Sequence, residues 1–193
     1  MSRPSPADRN RLIESLLAAH AVNGLSEPFA VVVASHLQMR SEAASAALPM
    51  ADIRRGPRAA GLDPMMALMP LALRSYVGRR LGGAVRWRTI LPGLRLCPVA
   101  NDAGGYASFL RCRPGKAIPA HTHEGIEAVL VLQGGFHDAD GDYVRGDLAV
   151  ADGTVDHRPV AYGPDECIIF VVLGAPVKLT GPFGRFLPRT FGG

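Results

Sequence analysis

The chain has 193 residues and a formal net charge of +4, with 48% hydrophobic and 20% charged residues. That length suits one medium-sized domain or two small ones around a real hydrophobic core, and it excludes a disordered or fibrous protein. The apolar stretches are far shorter than the roughly 20 residues of a membrane-spanning helix, and the polar N-terminus predicts no secretory signal. We therefore expect a cytoplasmic protein. Its three widely spaced cysteines, Cys97, Cys112 and Cys167, predict buried, reduced thiols.

The two halves of the chain differ in charge. Residues 1–100 carry thirteen arginines and six acidic residues, whereas residues 101–193 carry more acidic than basic residues. The arginines are densest between Arg54 and Arg95. Because the chain has one Trp and no recognisable helix-turn-helix, we expect no direct nucleic-acid binding. Two interpretations of the basic segment stay open, a surface that binds an acidic protein partner and a solvated arginine-rich linker.

Helical periodicity characterises the first 80 residues. Apolar residues recur at helical spacing from Arg9 to Val22, which predicts a first helix. Ser26 is a candidate N-cap for a second helix that runs to about Leu48 and ends at Pro49. A third, Met-rich helix opens at Asp63, and Pro70 either kinks it or starts it anew. Gly82 and Gly83 close this helical module.

After Gly83 the periodicity changes from helical to alternating, with glycine turns between short apolar segments. This pattern predicts an antiparallel sandwich or barrel. The predicted strands are Val85–Ile90, Leu94–Val99, Tyr106–Cys112, Glu127–Leu132, Phe136–His137, Asp147–Val150 and Cys167–Leu173. The fold class is therefore α+β with two domains, a small helical module at residues 1–80 followed by an all-β domain at residues 85–193.

Candidate metal ligands cluster in one segment of the β domain. His121 and His123 are two residues apart, so on a strand they share a face, and Glu127 can return to them after a bend. Two imidazoles and a carboxylate suit a borderline divalent metal. His157 is a fourth candidate, because a closed barrel brings it to the same cavity. Zinc, iron, manganese and nickel all suit this set of ligands.

The same segment resembles the first motif of the cupin superfamily, G(x)5HxH(x)3E(x)6G, at every specified position from Gly115 to Gly134. The second cupin motif is weaker, since Gly146 and His157 have the required spacing but Asp152 replaces a proline. The resemblance implies a double-stranded β-helix that holds one metal ion with His121, His123, Glu127 and His157. Lys116 and Glu124 border the site, where they either tune its charge or, as we favour, are solvated loop residues. Asp138 to Asp142 are interpreted as a polar hairpin turn.

The segment from Leu16 to Leu37 resembles the anti-sigma domain of ChrR-type regulators, which join such a domain to a C-terminal cupin. In that family the second helix carries a His-x3-Cys-x2-Cys zinc motif. Here His36 is present, but Arg40 and Ala43 stand where the cysteines would be. A structural zinc needs four N or S ligands, and with only His20 and His36 available we expect no zinc in the helical module. Both histidines are interpreted as partly buried helix residues.

Two functions follow from these resemblances. The first is a transcriptional regulator whose helical module binds an extracytoplasmic-function sigma factor and whose metal-bound cupin senses a stress signal, as in an oxidative stress response. The resemblance favours zinc as the metal and implies a heterodimer with the sigma factor or a cupin homodimer. The alternative is a metal-dependent cupin enzyme such as a dioxygenase, although no general base is identified. Met65, Met66 and Met69 are either core residues or an adaptable partner surface.

Overall fold

A computed structural model describes residues 6–46 and 63–181 of the chain. The predicted helix stop at Pro49, the arginines Arg54, Arg55 and Arg58, and residues 182–193 of the predicted cupin lie outside the described residues. The helical part comprises α1 (Pro6–Ala21), α2 (Glu27–Ala46), α3 (Pro64–Leu68) and α4 (Leu71–Leu81). Within the described residues, no helix is long and apolar enough to cross a bilayer.

The β part begins with a strand at Arg88 and forms three antiparallel sheets. Its strands are β1 (Arg88–Leu91), β2 (Leu94–Asp102), β3 (Gly105–Cys112), β4 (His121–His123), β5 (Glu127–Gln133), β6 (Gly135–Asp138), β7 (Gly141–Val144), β8 (Leu148–Ala151), β9 (Asp156–His157), β10 (Val160–Tyr162), β11 (Cys167–Leu173) and β12 (Val177–Leu179). The large sheet has the order β1-β2-β3-β11-β5-β8, and the smaller ones have the orders β10-β6-β7 and β12-β4-β9. The predicted class, helices followed by an all-β domain, is confirmed.

Pro70 divides the third predicted helix into two. It occupies the N-cap position of α4 with extended backbone angles, so α3 ends before it and α4 begins after it. A proline has no N–H to donate and restricts the residue before it, which explains the break. The C-cap is Gly82, whose φ of 65° lies in the left-handed region that favours glycine. The side chains of Met65, Met66 and Met69 are buried, as the core interpretation requires.

The strand prediction needs two corrections. The strand expected at Val85–Ile90 begins three residues later, because the N–H of Val85 donates to the Asp63 carboxylate, 3.1 Å away, and its side chain is buried in the core. The strands β4, β7, β9, β10 and β12 are additional to the seven predicted segments, although the spacing of His121 and His123 is interpreted as that of a strand. They are two to four residues long, so they contain too few positions for an alternating pattern to be recognised.

The large sheet separates two apolar cores. Along β11, Ile168, Phe170 and Val172 point to one core, whereas the alternate residues from Cys167 to Leu173 point to the other. This is the period-two alternation of a strand that is buried on both faces. One core fills the interior between the sheets, and the other lies between the large sheet and the helices. The three cysteines are free and buried, as predicted.

The helices cover the outer face of the large sheet and share one core with it. Val32 and Val33 of α2 and Tyr76 of α4 are fully buried in the same cluster as Phe109 and Phe170 of the sheet. The Tyr76 ring meets the Phe170 ring edge to face at a centroid distance of 6.4 Å, which is a favoured aromatic geometry. The helical part therefore packs tightly on the β part, while the division into domains at residues 80–85 stays a prediction.

Polar contacts add to this packing at the edge of the interface. The Ser26 hydroxyl donates to the Gly104 carbonyl at 2.6 Å, and the Nδ1 of His36 donates to the Gly146 carbonyl at 2.8 Å. Glu27 accepts hydrogen bonds from Arg79 and Arg80, and Arg80 also binds Asp102 at 2.7 Å. Two arginines of the basic segment are thus paired with carboxylates.

This ion-pair network predicts a pH-dependent stability difference. Hydrogen bonds from Arg80 and Arg79 lower the pKa of Glu27, and those from the Gly104 N–H and Arg80 lower the pKa of Asp102. A carboxylate with a lowered pKa stabilises the fold above its ordinary pKa, and that stabilisation is lost as the pH falls. Replacing Arg80 with Met should lower the melting temperature at pH 7, and the deficit should shrink below about pH 4.

Thermal unfolding followed by circular dichroism at low ionic strength measures this effect. The control is Arg40→Met, which removes an exposed arginine from α2. Both variants keep all the other titratable groups of the chain. The effect of pH on the stability contributed by those groups therefore cancels when each variant is compared with the parent protein. A deficit that has the same size at pH 7 and pH 3.5 would show that the network does not act through these two carboxylates.

Candidate metal centre

Three histidines meet inside the β part, where two strands pair. His121 and His123 occupy the two ends of the three-residue strand β4, and both side chains are buried. His157 lies on β9 directly opposite His121 in the antiparallel ladder. The Nε2 atom of His157 is 3.1 Å from that of His121 and 3.3 Å from that of His123. The structure therefore brings together the three histidines that were selected in the sequence.

Glu127 completes the cluster from a different sheet. It is the first residue of β5, and the bend that precedes it packs closely on the turn after β11, where the Gly174 N–H donates to the Ile126 carbonyl. A Cβ at Gly125 would stand 3.1 Å from the Ala175 nitrogen, so this close approach suits glycine. The carboxylate oxygens of Glu127 lie 3.9 Å, 3.6 Å and 3.5 Å from the Nε2 atoms of His121, His123 and His157 respectively.

Hydrogen bonds to the outer ring nitrogens orient two of the imidazoles. The Nδ1 of His121 donates to the Pro119 carbonyl at 2.8 Å, and the Nδ1 of His157 lies 2.9 Å from an Asp138 carboxylate oxygen. When Nδ1 carries the proton, the lone pair of neutral imidazole is on Nε2, which here faces the centre of the cluster. This arrangement, in which an outer partner fixes the tautomer, is typical of metal-ligating histidines.

Asp138 is a site residue that the sequence analysis missed. The structure confirms a hairpin at this position, with β6 and β7 joined by a short turn. However, Asp138 ends β6 with its side chain turned inward, where it is almost fully buried against His157. The local sequence shows only a run of aspartates in a turn. The contact depends on the pairing of β10 with β6, which bends the chain after His157 back towards the hairpin.

Burial and charge perturb the ionisation of the cluster. Burial lowers the pKa of His123 to about 4. Burial also opposes protonation of His157, but hydrogen bonds to Asp138 and Glu127 outweigh it and raise the pKa of His157 to about 9. Burial disfavours the charged form of Glu127, yet the imidazoles of His121 and His157 lower its pKa. Burial thus favours a neutral His123, whereas the two carboxylates favour positive charge on His157.

The donor set fits a divalent metal ion. One ligand atom from each of the four residues can be chosen so that all lie within 4.8 Å of one another. Bonds of 2.0 to 2.1 Å in a tetrahedral site separate the ligand atoms by about 3.3 Å. Five of the six pairs of residues here have donor atoms 3.1 to 3.9 Å apart, with either oxygen of Glu127 as its donor. Three imidazoles and a carboxylate also match the ligand chemistry of zinc and other first-row metals.

A mostly apolar cavity of about 60 Å³ adjoins this cluster. Its walls combine His121, Glu127 and His157 with aliphatic and aromatic side chains such as Ile169 and Phe136. Lys116 and Glu124 are not among its lining residues. Both are exposed, and Glu124 forms an ion pair with Lys178. The exposure of Lys116 and Glu124 agrees with their interpretation as solvated loop residues.

The chain was compared with known protein families, curated proteins and solved structures. Residues 82–177 match the family model described as ChrR Cupin-like domain. The anti-sigma-E factor ChrR of Cereibacter sphaeroides is 33% identical over 210 aligned positions, which cover 94% of this chain and 95% of the relative. The crystal structure of Rhodobacter sphaeroides SigE in complex with the anti-sigma ChrR matches with a TM-score of 0.63 and 35% identity, over 83% of this chain and 96% of that chain. The chain belongs to the ChrR family of anti-sigma factors.

Proposed function

We propose that this protein is an anti-sigma factor that binds an extracytoplasmic-function sigma factor through its helical module, residues 1–80. The observation that carries the proposal is that the likeness to ChrR covers almost the whole of both chains, including the helices. A likeness confined to the cupin would support an enzyme equally well. The relative crystallised with its SigE adds support, because its match also covers most of this chain. Together these findings favour the regulator over the dioxygenase alternative.

Two exposed leucines of the helical part supply a candidate contact for the sigma factor. Leu37 on α2 and Leu71 at the start of α4 are 43% and 64% exposed, so both apolar side chains are accessible to a partner. They belong to neighbouring segments, since the Leu71 N–H donates to the side-chain oxygen of Gln38. Aliphatic side chains of this kind are suited to burial against a protein partner.

Co-expression of the tagged chain with each extracytoplasmic-function sigma factor of its genome tests the proposal. We expect one sigma factor to co-purify at one-to-one stoichiometry, and the double variant Leu37→Asp, Leu71→Asp to lose it. The matched control is Val144→Asp, which places the same charge at an exposed apolar residue of β7. Failure to capture any sigma factor with a folded, metal-loaded protein would refute the proposed function. The mass of the purified complex separates a heterodimer from an assembly on a cupin homodimer.

We further propose that His121, His123, Glu127 and His157 hold one divalent metal ion in the cupin. The proposal is supported by the donor distances and by the hydrogen bonds that orient the imidazoles. Zinc is the favoured ion by family resemblance, and iron, manganese and nickel are the alternatives. A bound ion would supply a fixed positive charge that ties the two sheets together at this point. No zinc is assigned to the helical module, where His36 is engaged with the Gly146 carbonyl.

Asp138 should tune the affinity of this metal. Replacing it with Asn removes the negative charge next to His157 but keeps the size of the side chain. Loss of such an outer partner typically weakens metal binding by about 10- to 100-fold. Competition with a chromophoric chelator measures the change, and Asp142→Asn is the control because Asp142 is exposed in the same hairpin. Equal affinities of the two variants would show that Asp138 has no such role.

In the proposed mechanism the cupin reports a stress signal, such as oxidative stress, to the helices packed on it. A signal acts only if it stabilises one arrangement of the two parts over another. The shared core and the polar contacts of Ser26 and His36 are the features that such a signal has to alter. The proposal places the protein in the cytoplasm and assigns it no direct contact with nucleic acid.

A further inference from the structure

Four cationic side chains, Arg95, Arg111, Arg113 and Lys116, surround a depression on the surface of the β part. Arg95 on β2 and Arg111 on β3 are directly opposed in the antiparallel ladder, so their side chains leave the same face. Arg113 and Lys116 follow in the turn after β3, which is closed by a hydrogen bond from the Lys116 N–H to the Arg113 carbonyl. The depression that these four residues line has a volume of about 300 Å³.

The charges around this depression do not balance. Glu166 is its one carboxylate among the described residues, and it is paired with Arg111. Within the described ranges, no salt bridge joins Arg95, Arg113 or Lys116 to a carboxylate. Like charges directly opposite each other in a sheet destabilise it; Glu166 offsets the charge of Arg111, but no carboxylate among the described residues pairs with Arg95. Three uncompensated positive charges are therefore directed at one depression.

The backbone helps to hold one of these cations in place. Gly93 has a φ of 86°, and a Cβ at this position would come within 2.9 Å of the Lys116 side-chain carbon Cγ. The aliphatic part of Lys116 therefore lies against the glycine backbone, in space that any other residue would occupy. A side chain that is already positioned loses less conformational entropy when it binds a ligand.

A second depression adjoins the first and has an aromatic wall. Arg111 lines both, and its guanidinium lies 6.0 Å from the centre of the Trp87 ring. The second depression, of about 500 Å³, lies between α3 and the large sheet, with Met65 and Leu68 on the helical side. We refer to the two depressions together as the groove: the first is its cationic end, the second is its aromatic end, and Arg111 lies between them.

We propose that this groove is a binding site for a small phosphate-bearing anion, with Arg95, Arg113 and Lys116 as its principal contacts. The planar fork of an arginine side chain matches the oxygens of a phosphate group and forms charge-assisted hydrogen bonds with it. The site is separate from the metal centre, since the two cavities have no lining residue in common. A ligand that also carries an aromatic ring, such as a nucleoside diphosphate, can place that ring against Trp87 at the aromatic end of the groove.

Trp87 is the single Trp of the chain and lines the aromatic end of the groove, so its fluorescence is a probe for ligand binding there. The full-length protein is titrated with pyrophosphate, and separately with ADP, against sodium chloride at matched ionic strength, with isothermal titration calorimetry as a second readout. We expect saturable binding of pyrophosphate that sodium chloride does not reproduce. Both probes carry the same diphosphate group, so tighter binding of ADP assigns the aromatic end to the base, whereas equal affinity assigns the site to phosphate alone.

Charge-reversal variants test the residues. Arg95→Glu and Arg113→Glu should each weaken pyrophosphate binding by at least about tenfold. Arg40→Glu changes the net charge by the same amount on exposed α2 and should leave the affinity unchanged within about twofold. The proposal is overturned if neither readout detects pyrophosphate binding up to about 10 mM, or if the two site variants bind as tightly as the control variant. Circular dichroism confirms that each variant is folded.

Discussion

Replacing both His121 and His123 with alanine is expected to abolish stoichiometric metal binding by the cupin. The double substitution removes two of the four proposed ligands, both of which are buried and face the centre of the cluster. The remaining Glu127 and His157 cannot form a closed site for a divalent ion, because such sites need at least three protein ligands. Inductively coupled plasma mass spectrometry of the purified protein measures the loss.

The control for this experiment is His137→Ala. His137 lies on β6 next to Asp138, but its side chain is exposed and packs against Tyr162 outside the cluster. This variant should retain one metal ion per chain, whereas Glu127→Gln should retain a weakened site with three imidazoles. Unchanged metal content in the double histidine variant would refute the proposed ligand set.

Replacing Phe170 with alanine is expected to destabilise the whole described fold. Phe170 is fully buried at the centre of the large sheet, with the Phe109 ring at 5.2 Å and the Tyr76 ring of α4 at 6.4 Å. Truncation of a buried phenylalanine to alanine typically costs about 3 to 5 kcal/mol, because it removes apolar burial and leaves a cavity. Chemical denaturation followed at 222 nm measures the change in the free energy of unfolding.

The position of Phe170 makes this variant a test of the shared core. Because the ring contacts both the sheet and α4, helical and β signals should be lost in one transition at a lower denaturant concentration. The control Leu71→Ala truncates an exposed side chain and should change stability by less than about 0.5 kcal/mol. Separate transitions, with only the β signal shifted, would show that the helices do not depend on this core.

The elements that could be predicted are those with a strong local pattern. The strand β11 is an unbroken apolar segment from Cys167 to Leu173, and prediction and structure agree on both of its ends. The helices α1 and α2 have helical periodicity with clear stop signals. Of the short strands added by the structure, β4, β9, β10 and β12 depend instead on pairing with distant segments, as His121 pairs with His157 across 36 residues.

The candidate site was predicted more fully than the packing around it. Its four residues were found because their spacing matches both the period of a strand and the cupin motif. The role of Asp138 and the attachment of the helices to the sheet were not predictable in this way, since neither has a local pattern. The apolar face of α2 indicates that the helix is buried, but it carries no information about which surface covers it.

Transcription in vitro by RNA polymerase holoenzyme is the measurement that tests the proposed function most directly. The captured sigma factor is first bound to core polymerase, and transcription from its own promoter is then followed as the full-length protein is added. We expect inhibition that is complete at a one-to-one ratio with the sigma factor, and much weaker inhibition by the Leu37→Asp, Leu71→Asp variant. Full transcription in the presence of excess folded protein would contradict the proposal that this chain is an anti-sigma factor.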